Sequence, residues 1–220
     1  MKKLMVPFLV LFLASGCIQS EIKHMLYLDP DGALTWIILE TDIHSNCDKP
    51  EDRVKEEMCF GNDLTLGKYD KLLAFLALGP LTLNHQILRM EAPFAVWTEA
   101  RFVSIEWLMH NLAEQSALPI ESRLSKEGDE VHFEVVFFPA LLQEDDDRAE
   151  IFIPLFSDPE DYQIFLTRGR FTAAQGFHIS QNGRLATFIY NENSQTGEKE
   201  EAPITEPIVL SLTWTVEAPQ

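Results

Sequence analysis

The sequence predicts an α+β protein: a mainly antiparallel sheet of about eight strands, with about three helices packed on one face or at one end. Runs with apolar residues at every second position outnumber helically spaced runs by roughly eight to three. Most neighbouring runs are joined by short turns rich in Pro, Gly or Asn, which suits antiparallel neighbours. The composition is that of a globular chain, with 46% apolar and 24% charged residues in a length of 220. A chain of this size buries about 70% of its surface on folding and needs no disulfide scaffold or metal to hold together. With no internal repeat and no linker rich in Gly, Ser or Pro, residues 22–218 read as one domain. A purely β sandwich or barrel is the alternative architecture.

The first element is a leader. Met1-Lys2-Lys3 precedes the apolar run Leu4–Leu13, and the small residues Ala14-Ser15-Gly16 stand before Cys17. A basic start, a short apolar stretch and a small-residue site make an export signal. The run is about half the roughly 20 residues of a spanning helix. At its end Ala14-Ser15-Gly16-Cys17 resembles the lipobox of bacterial lipoprotein signal peptides, with Ala14 where the family most often has Leu. The resemblance implies cleavage of residues 1–16, a thioether-linked diacylglycerol on the Cys17 sulfur and an amide-linked third chain, palmitate being a usual acyl group. It places the protein in the cell envelope, held to a membrane by lipid. Ile18 stands where an Asp commonly retains such proteins at the inner membrane, which points to the outer membrane. Residues 18–21 then form a short tether.

Ile22–Leu28 and Ala33–Ile43 are apolar, β-rich runs separated by Asp29-Pro30-Asp31-Gly32, a tight-turn sequence, so they read as a hairpin. The two aspartates belong to turn chemistry, since no calcium-loop ligands follow in register. Pro50–Met58 reads as a short helix with acids in its first turn. Tyr69–Leu78 reads as a second, stopped by Gly79-Pro80. His85–Glu91 and Val96–Val103 are strands, followed by a helix from Ser104, a good N-cap, to Ala117, with Pro119 beyond its end.

The second half is plainer. Ile120–Leu124 and Val131–Phe138 flank the turn Lys126-Glu127-Gly128-Asp129, and Val131, Phe133, Val135 and Phe137 alternate with polar residues to give one buried face. Glu150–Leu155, Tyr162–Phe171, Gly176–Ile179 and Leu185–Tyr190 continue the strands, with turns at Asp158–Asp161 and Gln181-Asn182-Gly183. Asn191–Pro207 is a polar surface loop. Ile208, Leu210, Leu212, Trp214 and Val216 alternate in a terminal strand.

Charge excludes one class of function. Lys and Arg number 17 against 35 Asp and Glu, a net −18, which repels nucleic-acid backbones. The α/β-hydrolase elbow, the Walker loop, the Rossmann glycines and the His-Glu-x-x-His pattern are absent, so no cofactor is implied. With Cys17 carrying lipid, Cys47 and Cys59 remain in an exported chain and read as a disulfide closing Asp48–Met58, which stabilises by roughly 3 kcal/mol. The rivals are two thiols, or Cys47 joining Asp42 and His44, weak candidates for a metal site. Glu106, His110 and Glu114 share one helical face opposite the apolar residues and read as a solvated stripe. Acidic runs at Glu144–Asp147 and Glu198–Glu201 read as solubilising loops. On Tyr69–Leu78, Leu72, Phe75 and Leu78 exceed what one buried stripe requires and mark a possible binding surface for a hydrophobic ligand or an envelope protein. The reading is therefore a lipid-anchored envelope protein whose body binds or supports something, with no catalytic residues assigned. A periplasmic metal-assisted hydrolase is the alternative.

Overall fold

The structure, a computed structural model, describes residues 18–116, 119–138, 162–189 and 207–216. Among these are eleven strands and three helices in mostly antiparallel sheets that do not close into a barrel, an α+β fold. Met1–Cys17, Glu144–Asp147, Glu150–Leu155, Asp158–Asp161 and most of Asn191–Pro207 lie outside the described residues.

The chain divides into two compact units. The first holds β1 (Ile18–Leu28) as far as Met25, β2 (Leu34–Ser45) from Thr35, α1 (Pro50–Thr65), α2 (Asp70–Ala77), β3 (Thr82–Arg89) and β4 (Phe94–Phe102). Its strands lie in the order β3-β4-β2-β1. β3 and β4, the two predicted strands shifted by one to three residues earlier in the chain, pair antiparallel, with Leu83 opposite Ala100 and His85 opposite Thr98. One core cluster joins Ile43, Leu64, Tyr69, Phe94 and Val96, with Ile18, Phe60, Leu72 and Ile87 packed against it. Phe60 meets the Phe94 ring at 5.3 Å between centroids, so α1 is fastened to the start of β4.

β1 starts four residues earlier than the sequence reading placed it. Ile18, Ser20 and Ile22 are half-buried while Gln19, Glu21 and Lys23 are exposed, the two-residue period of a strand with one face inward. The segment expected as a tether is thus sheet. α1 likewise runs seven residues past Met58, because Phe60 and Leu64 continue its inward face beyond the acidic first turns.

The second unit contains Leu26–Leu34 and the chain from Val103. Its elements are α3 (Ile105–Ser116), β5 (Ile120–Glu127), β6 (Glu130–Phe137), β7 (Tyr162–Leu166), β8 (Arg170–Gln175), β9 (Phe177–Ile179), β10 (Leu185–Phe188) and β11 (Ile208–Thr215). The end of β1 is followed across its sheet by β7, β10 and β9, and a separate sheet has the order β5-β6-β11-β8. The predicted strand over Tyr162–Phe171 is two strands, because Gly169, at φ 90°, turns the chain from one sheet to the other.

The predicted alternation on β6 is met: Val131, Phe133, Val135 and Phe137 are buried, facing Leu212 and Trp214 of β11 in register. Trp214 is fully buried, stands edge-on to Phe171 and donates its indole N–H to the Pro30 carbonyl at 3.1 Å. The turn Asp29–Ala33 is therefore a hub of this unit. Asp31 accepts from the Ala33 N–H, Thr167 donates to the Asp29 carboxylate, and the Gly32 carbonyl accepts from Ile105 N–H at the start of α3. Gly32 adopts φ 91°, and a Cβ there would stand 2.6 Å from a Leu124 methyl.

Candidate functional site

The Cys17 sulfur lies outside the described residues, but the body begins at once after it, with Ile18 in β1 and packed on the core of the first unit.

Asp42 and His44 do not gather a metal site. Asp42 is exposed at φ 53°, a left-handed conformation within β2, and His44 Nδ1 donates to the Asp42 carbonyl at 2.6 Å. The Asp42 carboxylate stands 3.7 Å from the same nitrogen. Among the described residues no three His, Cys, Asp or Glu side chains converge as metal ligands.

The expected Cys47–Cys59 disulfide is not formed. The reason is the length of α1. Glu56 and Glu57 turn back to the end of β2: Ser45 Oγ and Cys47 Sγ both donate to Glu56 Oε2, the latter at 3.3 Å, and Ser45 N–H donates to Glu57 at 3.2 Å. Cys59 sits within α1 and is exposed, while the Cys47 thiol is engaged by Glu56.

Leu72, Phe75 and Leu78 are not a binding surface. Phe75 and Leu78 are buried, and Leu72 packs against the cluster around Ile43 and Tyr69. Phe75 abuts the Trp36 ring edge-on at 5.0 Å. The surplus apolar residues of the helix that reach solvent are Leu73 and Leu76. The sheet takes the face carrying residues 72, 75 and 78, at the helical spacing of three.

Beside these residues lies a polar cluster that the sequence reading missed. Glu40 on β2 is 2% exposed, yet its carboxylate accepts from Lys71 Nζ at 2.5 Å and from the Tyr69 hydroxyl. Burial pushes the Lys71 ammonium below its ordinary range, against the pull of Glu40. On β1, His24 accepts from the Trp36 indole N–H at 3.2 Å. Burial first, and the charge of Lys71 second, lower His24 to about 4, with Glu40 opposing. Tyr69 also faces the ring of His85 at 5.9 Å, and His85 is hydrogen-bonded to Thr98 at 2.8 Å. Burial lowers the His85 pKa, and its Nε2 is buried with no partner. The one local signal was an acid inside an apolar run, at the parity of Trp36 and Ile38. Its partner Lys71 lies 31 residues away.

Around Glu40 and His24 the polar groups are paired, whereas His85 Nε2 is not. The charge of Glu40 is matched by Lys71, and the imidazole of His24 is held neutral as an acceptor. It positions α2 on the sheet, a role in which buried ion pairs contribute to specificity of packing more than to stability.

The predicted stripe on α3 divides. His110 and Glu114 pair at 3.3 Å on the exposed face. Glu106 instead reaches β5, where its carboxylate accepts from the Leu124 N–H at 3.0 Å and its carbonyl accepts from Ser122 Oγ.

No family model matches the chain, and no curated protein matches it. Among solved structures, the folded domain of LppM from Mycobacterium tuberculosis, determined by NMR, is similar with a TM-score of 0.39 and 8% identity, over 93% of this chain and 94% of that one.

Proposed function

We propose that this is a lipid-anchored cell-envelope protein whose α+β body serves as a binding or structural module. The observation that carries the proposal is Ala14-Ser15-Gly16-Cys17 after the apolar run Leu4–Leu13. Each acyl methylene entering a bilayer contributes roughly 0.8 kcal/mol, and two or three chains hold a protein stably where one gives reversible binding. Cleavage removes Lys2 and Lys3 and leaves 15 basic residues against 35 acidic. Such a body is kept at an anionic surface by its lipid and not by its charge. Ile18 favours the outer membrane over the inner. Partners are the membrane itself, through Cys17, and an envelope protein or hydrophobic ligand.

The hydrolase alternative draws no support from the described residues, where Asp42 and His44 engage each other and Glu40 is neutralised by Lys71.

The test is Cys17→Ser in the producing cell. Wild-type protein is expected to incorporate labelled palmitate, to carry a lipidated N-terminal Cys17 by mass spectrometry and to resist carbonate extraction. The variant is expected to lose the label. Wild-type protein with an unmodified Cys17 would overturn the proposal.

A further inference from the structure

We propose that the cleft between the first turns of α3 and strand β5 binds a small organic cation, an ammonium or guanidinium head on an apolar or planar body. The cleft has a volume of about 610 Å³, within the range of small-molecule sites, and lies wholly in the second unit. Its lining includes Glu106, Trp107, His110, Glu121 and Ser122, with no lysine or arginine among the described residues.

The sign of the ligand follows from the lining. The start of a helix ordinarily favours an anion through its unpaired N–H groups. Here two of those donors are engaged: Ile105 N–H donates to the Gly32 carbonyl at 2.8 Å and Trp107 N–H to Ser104 Oγ at 3.0 Å. Two acids, Glu106 and Glu121, are among the residues that line the cleft. Glu106 is held by the Leu124 N–H, so part of the negative wall is in place before a ligand arrives.

The nature of the body follows from Trp107. A tryptophan is normally among the most buried side chains, yet this one is 46% exposed, and its ring is a cation–π platform beside two acids. His110 adjoins the indole, with ring centroids 6.4 Å apart. Val103, 52% exposed, and Ile120 supply apolar wall for the remainder of the ligand.

The experiment titrates the full chain with phenyltrimethylammonium and with benzamidine, using benzoate as the anionic control and cellobiose as the neutral one. The readout is the Trp107 indole resonance, assigned by its loss in Trp107→Phe. Both cations are expected to shift it saturably, more weakly in high salt, while benzoate and cellobiose leave it in place. Affinity followed by calorimetry is expected to fall about tenfold in Trp107→Ala, as loss of a cation–π contact implies. It should fall severalfold in Glu121→Gln, an exposed position whose change leaves the fold intact, and be largely retained in Trp107→Tyr. Absence of a saturable shift, equal binding of benzoate, binding of cellobiose in place of the cations, or unchanged affinity in Glu121→Gln would overturn the proposal. The outcome is independent of lipid on Cys17.

Discussion

Replacing His24 with Asn exposes how the buried cluster of the first unit responds to pH. The neutral His24 ring accepts from Trp36 at Nδ1 and therefore carries its proton on Nε2. A second proton would fall on Nδ1, abolish that acceptor and place a cation near Lys71. The folded-state value of about 4 lies below the ordinary histidine value of 6.5, which holds in the unfolded chain. The sign is therefore that of a base held neutral by folding. Its contribution is fully present above pH 6.5 and is lost as pH falls towards 4, because the unfolded chain takes up the proton first. Linkage over that interval gives a loss of about 2 kcal/mol at pH 5 and about 3 kcal/mol at pH 4, relative to pH 7. Asn offers an acceptor near the place of Nδ1 and does not titrate, while the many carboxylates titrate equally in both proteins and cancel in the difference. The assay is urea unfolding followed by circular dichroism at pH 7.5, 6.0 and 5.0. The wild type is expected to lose about 2 kcal/mol more than His24→Asn between the first and last of these. Parallel pH profiles would refute the argument.

Lys71→Met leaves Glu40 buried without its cation and should cost about 3–5 kcal/mol in urea unfolding, most of it recovered in Glu40→Leu/Lys71→Met. Trp214→Ala removes a fully buried indole and its bond to Pro30, and should cost about 3–5 kcal/mol by the same measurement. In native protein Cys59 should react with a maleimide before Cys47, whose Sγ is half-buried and bonded to Glu56; an intact mass two hydrogens low, with neither cysteine labelled, would instead show the disulfide.

The sequence by itself determined what depends on neighbours a few residues apart. Alternation at Val131–Phe137 and Ile208–Trp214 placed buried faces on two strands that pair in register, because the period of a strand is a local property. Asp29-Pro30-Asp31-Gly32 announced its turn through residue types that accept its backbone angles, and Ser104 its helix start through a side chain that reaches Trp107 N–H.

Only the tertiary structure decided which side of each element meets another. On an apolar helix such as Asp70–Ala77, composition does not choose between residues 72, 75 and 78 and residues 73 and 76; the sheet beneath it does. The spacing of Cys47 and Cys59 permitted a loop, but α1 continues through Cys59 and turns it to solvent, because Phe60 and Leu64 have Phe94 and Ile43 to pack against. Glu106 left its predicted solvated stripe because Leu124 offers an unpaired N–H within reach. Glu40 is the clearest case: an acid in a strand core is unfavourable by every local rule and becomes possible when folding brings Tyr69 and Lys71 to it. Period and turn chemistry are written in short range, whereas burial of a particular side chain depends on partners that only the folded chain supplies.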